Sequence, residues 1–393
     1  MPDPAIWRTV GSPLVHGRRG GPLAGARVAV KDLFAVQGHA IGAGVPRYLA
    51  EAEPEQRSAP AVSALLDAGA DVIGIARTDE FAYSIAGANP HYGTPPNGAV
   101  PGALPGGSSS GPASAVALDE ADVGLATDTG GSIRVPASYQ GLWGLRTTHG
   151  RVPREGLLPL APSFDTVGWL TRDAATLRAA WAATRAASAG EDGPAAPALA
   201  VDGDLLERLD PPVATAMRAA LDRFASAGLR PVPVDLGDLD RLAAAFRTLQ
   251  AFEAWTVHGP WLTAHPGAVS GAVEERFRIA AAVDAGEADA ARTVLHVAAG
   301  HLRAVLRDRT LLMPAAATPA PARSAPAAEI DRVRAATLRL TCLAGAAGAP
   351  ALSAPLLTVD GAPLGLCLVG RPGSDAALIG LADELAAVLA GTT

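Results

Sequence analysis

The chain has 393 residues, of which 49% are hydrophobic and 18% charged, and this is enough apolar sequence for a large buried core. The composition excludes a disordered chain, a collagen-like chain and a small disulfide scaffold. The formal net charge is -7, and the arginines are scattered rather than gathered in a basic stripe, so nucleic acid is not expected as a partner.

The basic residues have an unusual composition. Of the 32 lysines and arginines, 31 are arginine and one is lysine, Lys31. A bias towards GC-rich codons explains the arginines without any function, and Lys31 can be a chance survivor of that bias. The alternative is that Lys31 must work uncharged, because a buried lysine amine can lose its proton whereas arginine stays protonated. Composition alone leaves both interpretations open.

Short apolar runs alternate with helical patterns, which predicts an α/β fold with a substantially parallel sheet. Strands are predicted at 27–30, ending at Lys31, and at 71–76, 123–127, 310–313 and 365–369. One helix is predicted to follow a cap at Ser58 and to end at Gly69. Further helices are predicted at 110–118, 132–139, 174–187, 212–227 and 376–389, and long helical patterns lie within 239–305. Loops are predicted at 90–107 and 314–326, and the Gly- and Pro-rich stretch 190–197 is the best candidate boundary.

The N-terminal residues and the apolar runs of the chain predict the cellular compartment of the protein. Residues 1–20 lack the apolar run of a secretory signal, and the softest candidate for a membrane span, 340–357, is broken by Gly and Pro. Two cysteines, Cys342 and Cys367, are too few for a disulfide framework and are expected to be reduced core thiols. We therefore expect a cytoplasmic protein with no membrane partner.

Two Gly- and Ser-rich clusters are candidates for chemistry: Gly-Gly-Ser-Ser-Ser-Gly at 106–111 and Thr-Asp-Thr-Gly-Gly-Ser-Ile-Arg at 127–134. Either cluster alone is typical of a turn. Consecutive glycines before Ser132 allow backbone N–H groups to converge beside its hydroxyl, which is the arrangement of an oxyanion hole next to a nucleophile. Of the histidines only His149 lies close to a cluster in sequence, so a desolvated Lys31 is the candidate base.

From 105 to 173 the chain resembles the amidase signature family of serine hydrolases. The resemblance rests on the 106–111 cluster, on Gly-Leu-Ala-Thr-Asp-Thr-Gly-Gly-Ser-Ile-Arg-Val-Pro-Ala-Ser-Tyr-Gln-Gly from Gly124, on Gly-Arg-Val-Pro at 150–153, and on Ser-Phe-Asp-Thr-Val-Gly at 163–168. It extends to 28–34 and to 349–372, and it is weak over 202–309. It implies an α/β fold, the amidase signature fold, with a large mixed β-sheet core sandwiched between layers of α-helices.

The resemblance implies one domain over residues 1–393, with a signature core at about 25–175, a variable helical segment for the substrate pocket at about 200–310, and a C-terminal sheet and helix segment at about 310–393. It also implies a Ser–Ser–Lys triad. By motif position Ser132 is the nucleophile, Ser108 is a bridging serine in a cis peptide with Gly107, and Lys31 is the base.

The neighbouring residues have supporting roles in this interpretation. The backbone N–H groups of Thr129, Gly130, Gly131 and Ser132 are expected to form the oxyanion hole. Ser109 is expected to hydrogen-bond to the triad, with a plain loop hydroxyl as the alternative. Asp128 and Arg134 are expected to pair and brace the glycine turn.

The resemblance implies an amidase that acts through an acyl-Ser132 intermediate on a small-molecule amide, without a cofactor, and with a homodimer as one possible assembly. No His, Asp or Glu set has the spacing of metal ligands. Residues 79–84, 91–95 and 163–169 look most like the indole-3-acetamide hydrolase branch. Trp255, His258 and Trp261, spaced by three, either form an aromatic wall for such a substrate or pack in the core, which is the commoner role of an aromatic stripe on a helix.

Four alternatives remain at this stage. One is the glutaminase subunit of a tRNA-dependent amidotransferase, and another is a non-catalytic amidase-like scaffold. A third is an α/β-hydrolase nucleophile elbow with Ser109 attacking, which requires a strand immediately before 107–111. A P-loop is the weakest, because no Gly-Lys-Ser or Gly-Lys-Thr follows either cluster.

Overall fold

The computed structural model describes residues 2–184, 192–194 and 198–391. Most of the candidate boundary 190–197, and the end of the predicted helix 174–187, lie outside the described residues. The strands of the described chain are β1 (Trp7–Val15), β2 (Arg27–Lys31), β3 (Asp71–Ala76), β4 (Val123–Asp128), β5 (Trp143–Arg146), β6 (Thr166–Thr171), β7 (Ala198–Asp202), β8 (Val232–Val234), β9 (Arg309–Pro314), β10 (Ala351–Val359) and β11 (Ala362–Val369).

The α-helices of the described chain are α1 (Pro46–Glu51), α2 (Pro60–Asp67), α3 (Ser110–Ala117), α4 (Arg134–Gln140), α5 (Ala174–Thr184), α6 (Gly203–Glu207), α7 (Pro211–Ser226), α8 (Leu239–Ala264), α9 (Gly271–Ala280), α10 (Ala285–Leu306), α11 (Ala327–Ala347) and α12 (Asp375–Ala390). A short 3₁₀ helix covers Glu80–Ala82. Among the described residues no helix is both long enough and apolar enough to cross a bilayer.

All of these strands belong to one mixed sheet in the order β1-β3-β2-β4-β6-β5-β10-β11-β9-β7-β8. The pairs β2/β3, β2/β4, β7/β8 and β7/β9 are parallel, and the other six pairs are antiparallel. The mixed sheet implied by the resemblance is confirmed, whereas the substantially parallel sheet predicted from the alternation of elements is wrong. The reason is visible at β10 and β11, which a tight Asp360-Gly361 turn with positive φ at both residues joins directly, so no crossover helix is needed.

The two faces of the sheet are covered by different helices. Val28 and Leu125 face a core that they share with apolar residues of α2, α5, α7 and α12. Ala29 and Ala126, one residue further along each strand, face small residues of α3 and α4 instead. Because strand side chains alternate between faces, Lys31 lies on the same face as Ala29. The alternation therefore directs the lysine towards the two glycine-rich clusters.

Helices α8 to α11 pack against one another in a further core. They include the long helical pattern predicted over 239–305. The predicted strands at 27–30, 71–76, 123–127, 310–313 and 365–369 correspond to β2, β3, β4, β9 and β11. The strands β1, β5, β6, β7, β8 and β10 and the helix α11 were not predicted.

One predicted helix cap is wrong. Helix α2 begins at Pro60 with Ala59 in the N-cap position and no side-chain cap. The hydroxyl of Ser58 accepts a hydrogen bond from the backbone N–H of Gln37 at 3.0 Å instead. A partner from a distant loop therefore replaces the local bond that the sequence pattern suggests.

Candidate active site

Lys31 is the last residue of β2, and its side chain is fully buried. Three hydroxyl groups surround its Nζ: Ser108 Oγ at 2.8 Å, Ser109 Oγ at 3.0 Å and Thr127 Oγ1 at 2.7 Å. Burial lowers the pKa of Lys31 to about 7, although nearby aspartates act in the opposite direction. A substantial fraction of the amine is therefore neutral near physiological pH, and the predicted association of Ser109 with this group is present.

The peptide bond between Gly107 and Ser108 is cis, as the resemblance implies. The hydroxyl of Thr78 donates a hydrogen bond to the Ser108 carbonyl at 2.8 Å, and the N–H of Gly107 donates to the carbonyl of Ile85 at 2.9 Å. Sequence analysis missed Thr78. It lies two residues beyond β3, next to the end of β2 in a parallel pair, and that position marks it as a neighbour of Lys31.

Ser132 lies in the turn between β4 and α4, and 3% of its surface is exposed. The preceding Gly131 has φ +120°, and a Cβ there would come within 3.0 Å of methyl groups of Thr341 and Val135. Glycine is therefore required at this position on two grounds, backbone angle and space. The N–H of Ser109 donates to the Ser132 carbonyl at 3.3 Å, which joins the two clusters.

The Asp128 carboxylate stabilises the glycine turn that precedes Ser132. Its buried carboxylate accepts hydrogen bonds from Arg134 Nε at 3.0 Å and Nη2 at 2.8 Å, and from Arg146 Nη1 at 3.1 Å. These two guanidinium groups hold the pKa of Asp128 well below its usual range, against the effect of burial. The predicted pair of Asp128 and Arg134 is present. Arg146 was missed because its strand position carries no signal that distinguishes it from the other arginines.

The predicted oxyanion hole needs one correction. The N–H of Gly131 donates to Asp128 Oδ1 at 2.9 Å, because the carboxylate three residues earlier folds back under the turn. That donor is therefore occupied by the protein itself. The N–H groups of Thr129, Gly130 and Ser132 form no hydrogen bond within the described residues, and these three remain available to a ligand.

Ser132 opens into a small cavity, whose space is about 390 Å³ when its open mouth is included. Its apolar lining comes from Ile85, Leu160 and Leu338. Its other lining residues are Ala82, Tyr83, Ser84, Gly130, Gln250, Arg276 and Arg334. Gln250 and Arg276 belong to α8 and α9, within the variable segment that was expected to shape the pocket. Sequence analysis did not single out either residue or Arg334.

Trp255, His258 and Trp261 do not line this cavity. His258 is buried, stacks near Phe81 with ring centroids 4.5 Å apart, and its Nε2 contacts the Pro159 carbonyl at 2.9 Å. Trp261 packs against Phe81 and His265 and donates its indole N–H to Glu51 at 3.1 Å. The aromatic wall inferred as one use of these residues is therefore absent from the Ser132 cavity. Helix α8 directs His258 and Trp261 towards Phe81, and Trp255 lines a separate pocket with Leu262 and Phe277.

Comparisons with known proteins identify the family to which the chain belongs. The model of the family described as Amidase matches residues 10–379. Amidase 1 of Arabidopsis thaliana is 34% identical over 93% of this chain and 94% of its own length. The 2-amino-5-chloromuconic acid deaminase of Comamonas testosteroni is 34% identical over 96% of this chain and 84% of its own length. A crystal structure of an amidase superposes with a TM-score of 0.84 and 32% identity, over 93% of this chain and 85% of that one.

The chain therefore belongs to the amidase family, and it is an amide-hydrolysing enzyme. The α/β-hydrolase elbow is contradicted by the fold, because no strand of the described chain lies between β3, which ends at Ala76, and the 107–111 cluster. Among the described residues no cluster of His, Cys, Asp and Glu is arranged to hold a metal ion.

The position of the aromatic stripe leads to a testable expectation. Trp255→Ala and Trp261→Ala are expected to lower stability while leaving the ranking of aromatic over aliphatic amides unchanged, because neither ring reaches the Ser132 cavity. Each truncation removes partly buried aromatic surface and should reduce the free energy of unfolding by about 1 to 3 kcal/mol. Urea denaturation and relative kcat/KM values measure the two effects. A changed ranking in either variant would contradict this placement.

Proposed function

We propose that the enzyme cleaves the C–N bond of a small carboxamide by nucleophilic attack of Ser132, with Ser108 as proton relay and Lys31 as base. The observation that carries this proposal is the buried Lys31 Nζ, which lies within hydrogen-bond distance of three hydroxyls and has a lowered pKa. Such an amine can accept a proton at neutral pH.

Three hydroxyl groups around Nζ fit either state of the amine, because a protonated amine donates to all three oxygens. A neutral amine has two N–H donors and one lone pair, so two of the three hydroxyls can accept and one can donate. The Ser109 hydroxyl is directed towards the Thr127 carbonyl at 3.3 Å, so its oxygen is an acceptor for Lys31. Ser108 and Thr127 are then the hydroxyls able to donate to the lone pair of the neutral amine, and donation by Ser108 is the direction that a relay from Ser132 requires.

The reaction follows two steps in this proposal. Ser132 Oγ bonds to the amide carbon as its proton moves to Ser108, and the Ser108 proton moves to Lys31. The N–H groups of Thr129, Gly130 and Ser132 hold the resulting oxyanion. The C–N bond then breaks, and ammonia or an amine leaves with the proton returned by the lysine. Water attacks the acyl-Ser132 ester by the same relay and releases the carboxylic acid.

The finer prediction of an arylacetamide substrate, such as indole-3-acetamide, loses one of its supports, since Trp255 and Trp261 lie outside the cavity. It stays a prediction from the resemblance. The relative from Comamonas testosteroni is named for a muconic acid with an amino and a chloro substituent, and its name is a reason to include acidic substrates in any screen.

An acyl-transfer assay tests the proposed chemistry. In a panel of small amides, we expect release of ammonia and, when hydroxylamine is added, formation of the corresponding hydroxamate. Hydroxylamine competes with water for an acyl-enzyme, so the hydroxamate reports that intermediate directly. Ammonia release without any hydroxamate, together with the absence of acylated protein by mass spectrometry, would exclude the acyl-Ser132 route.

The same assay separates the alternatives. A glutaminase subunit of a tRNA-dependent amidotransferase predicts glutamine hydrolysis that depends on charged tRNA and co-purification with two partner subunits. A non-catalytic scaffold predicts no turnover of any amide by the purified chain. Direct hydrolysis of small amides by the isolated protein is the result that we expect.

A further inference from the structure

The Ser132 cavity contains two arginines and no acidic lining residue among those described. Arg276 comes from α9 and Arg334 from α11, so two separate helices bring their guanidinium groups to one small cavity. Arginine pairs of this kind bind carboxylates and phosphates well, because each guanidinium presents planar, fixed N–H donors.

Neither arginine is neutralised inside the cavity. Arg276 donates one hydrogen bond, from Nη1 to the Tyr83 carbonyl at 2.9 Å, and forms no ion pair with a described residue. Arg334 pairs through Nε with Asp331 Oδ1 at 3.2 Å. The Asp331 carboxylate is 57% exposed on the surface, so solvent screens this pair strongly.

The pKa of Arg276 reflects the charges around this cavity. Burial and the nearby charge of Arg334 lower its pKa to about 10, whereas Asp331 and the buried Asp79 raise it. Asp79 is engaged elsewhere, since its carboxylate accepts a hydrogen bond from the Gly87 N–H at 3.0 Å. Two positively charged side chains thus line one partly buried space, and an anion bound there would offset their mutual repulsion.

We propose that Arg276 and Arg334 form an anion subsite that binds a carboxylate on the substrate, so that the enzyme acts on amides carrying a second, acidic group. This inference rests on the proposed function and names its substrate class. The small cavity volume favours short monoamides of dicarboxylic acids. Gln250, which lies near Gly130 and lines the same cavity, is a further polar group for the amide end.

Matched substrate pairs provide the test. The pairs are succinamate with butanamide, glutaramate with pentanamide, and 4-carbamoylbenzoate with 4-methylbenzamide, each of which differs mainly in one carboxylate. The wild-type enzyme is expected to favour the acidic member by at least tenfold in kcat/KM for one or more pairs. Arg276→Gln and Arg334→Gln are each expected to reduce that preference by about tenfold or more, because kcat/KM falls further for the acidic member than for the neutral member, mainly through KM.

Two further variants control this result. Arg278→Gln removes an exposed arginine of α9 that pairs with Glu275 and does not line the cavity, so its preference should stay at the wild-type value. Arg276→Lys retains a positive charge and should recover part of the preference. Arg334 is partly exposed, so its variant should fold even if Arg276→Gln does not.

Binding to the Ser132→Ala protein separates this inference from the proposed chemistry. Succinamate should raise the Tm of that protein more than butanamide does, and adding Arg334→Gln should abolish the difference. Equal use of both members of every pair, with no effect of either arginine variant, would overturn the anion subsite while leaving the amidase chemistry intact. Loss of the acyl-enzyme result with retained succinamate binding would overturn the chemistry and leave the subsite.

Discussion

Ser132→Ala is expected to reduce kcat/KM for the best amide substrate by a factor on the order of 10⁴ or more, because the variant has no nucleophile to form the acyl-enzyme. The fold should be unaffected. The Ser132 hydroxyl forms no hydrogen bond within the described residues, so its removal leaves no buried partner without a bond. Ammonia release measures the first effect, and urea denaturation measures the second.

Two controls sharpen this experiment. Ser226→Ala removes an exposed hydroxyl of α7 that bonds only to the Asp222 carbonyl in its own helix, and it should retain full activity. Ser109→Ala removes an acceptor of the Lys31 amine and should retain part of the activity, since Ser109 is not on the proposed proton route. Substantial amide hydrolysis by Ser132→Ala, at wild-type levels of folded protein, would reject the proposed mechanism outright.

Lys31→Met is expected to cause a loss of similar size, because the relay then has no base. In the wild-type enzyme, kcat/KM should rise as pH increases through about 7, where the buried amine loses its proton. The variant's residual activity should lack this rise. A profile of kcat/KM from about pH 5 to 9 measures the rise in the wild-type enzyme and its absence in the variant. A wild-type profile with no rise near neutral pH would be incompatible with Lys31 as the base.

The same pKa has a consequence for stability. The pKa of Lys31 is about 7 in the folded protein, below its ordinary value of 10.5 in an unfolded chain. Between these values the unfolded chain binds more protons, so this residue makes stability rise with pH across that window. Below about pH 7 the folded protein bears the full free-energy cost of burying the protonated amine. Lys31→Met should therefore be more stable than the wild type at low pH, and this gain should shrink as pH rises.

Lys31→Arg distinguishes a base from a positive charge. The guanidinium keeps its charge and cannot accept the Ser108 proton, so we expect near-complete loss of activity. An enzyme that used Ser109 as the nucleophile of an elbow would tolerate this change. Circular dichroism and urea denaturation establish whether each variant is folded, and Lys31→Met provides the same test with a side chain that fits the apolar part of the site.

A large part of the site could be predicted from the sequence. The glycine pair, the hydroxyls and the solitary lysine have distinctive residue types, and the strand ending at Lys31 has a clear apolar pattern. The oxyanion hole could be predicted only in part. Whether the Gly131 N–H faces a ligand or the Asp128 carboxylate depends on how the turn folds back, and residue type does not encode that.

The roles of most arginines, by contrast, could not be predicted from the sequence. Codon bias accounted for all of them at the level of composition, yet Arg134 and Arg146 hold the buried Asp128 carboxylate, and Arg276 and Arg334 face the Ser132 cavity. In a chain with 31 arginines, residue identity carries almost no information about role. Arg134 was expected to pair with Asp128 from its place in the motif, but only burial and neighbours separate the other three from the exposed arginines.

The sequence by itself determined the chemical groups available to this protein: one amine able to lose its charge, two serine clusters, and glycines where no side chain fits. The tertiary structure decided which groups meet. Lys31 contacts Ser108 and Thr127, which lie 77 and 96 residues further along the chain, because parallel pairing of β2 with β4 brings the ends of the two strands together. Helix packing likewise sets which side of each helix faces the cavity, so that Arg276 and Arg334 line it and Trp255 and Trp261 do not.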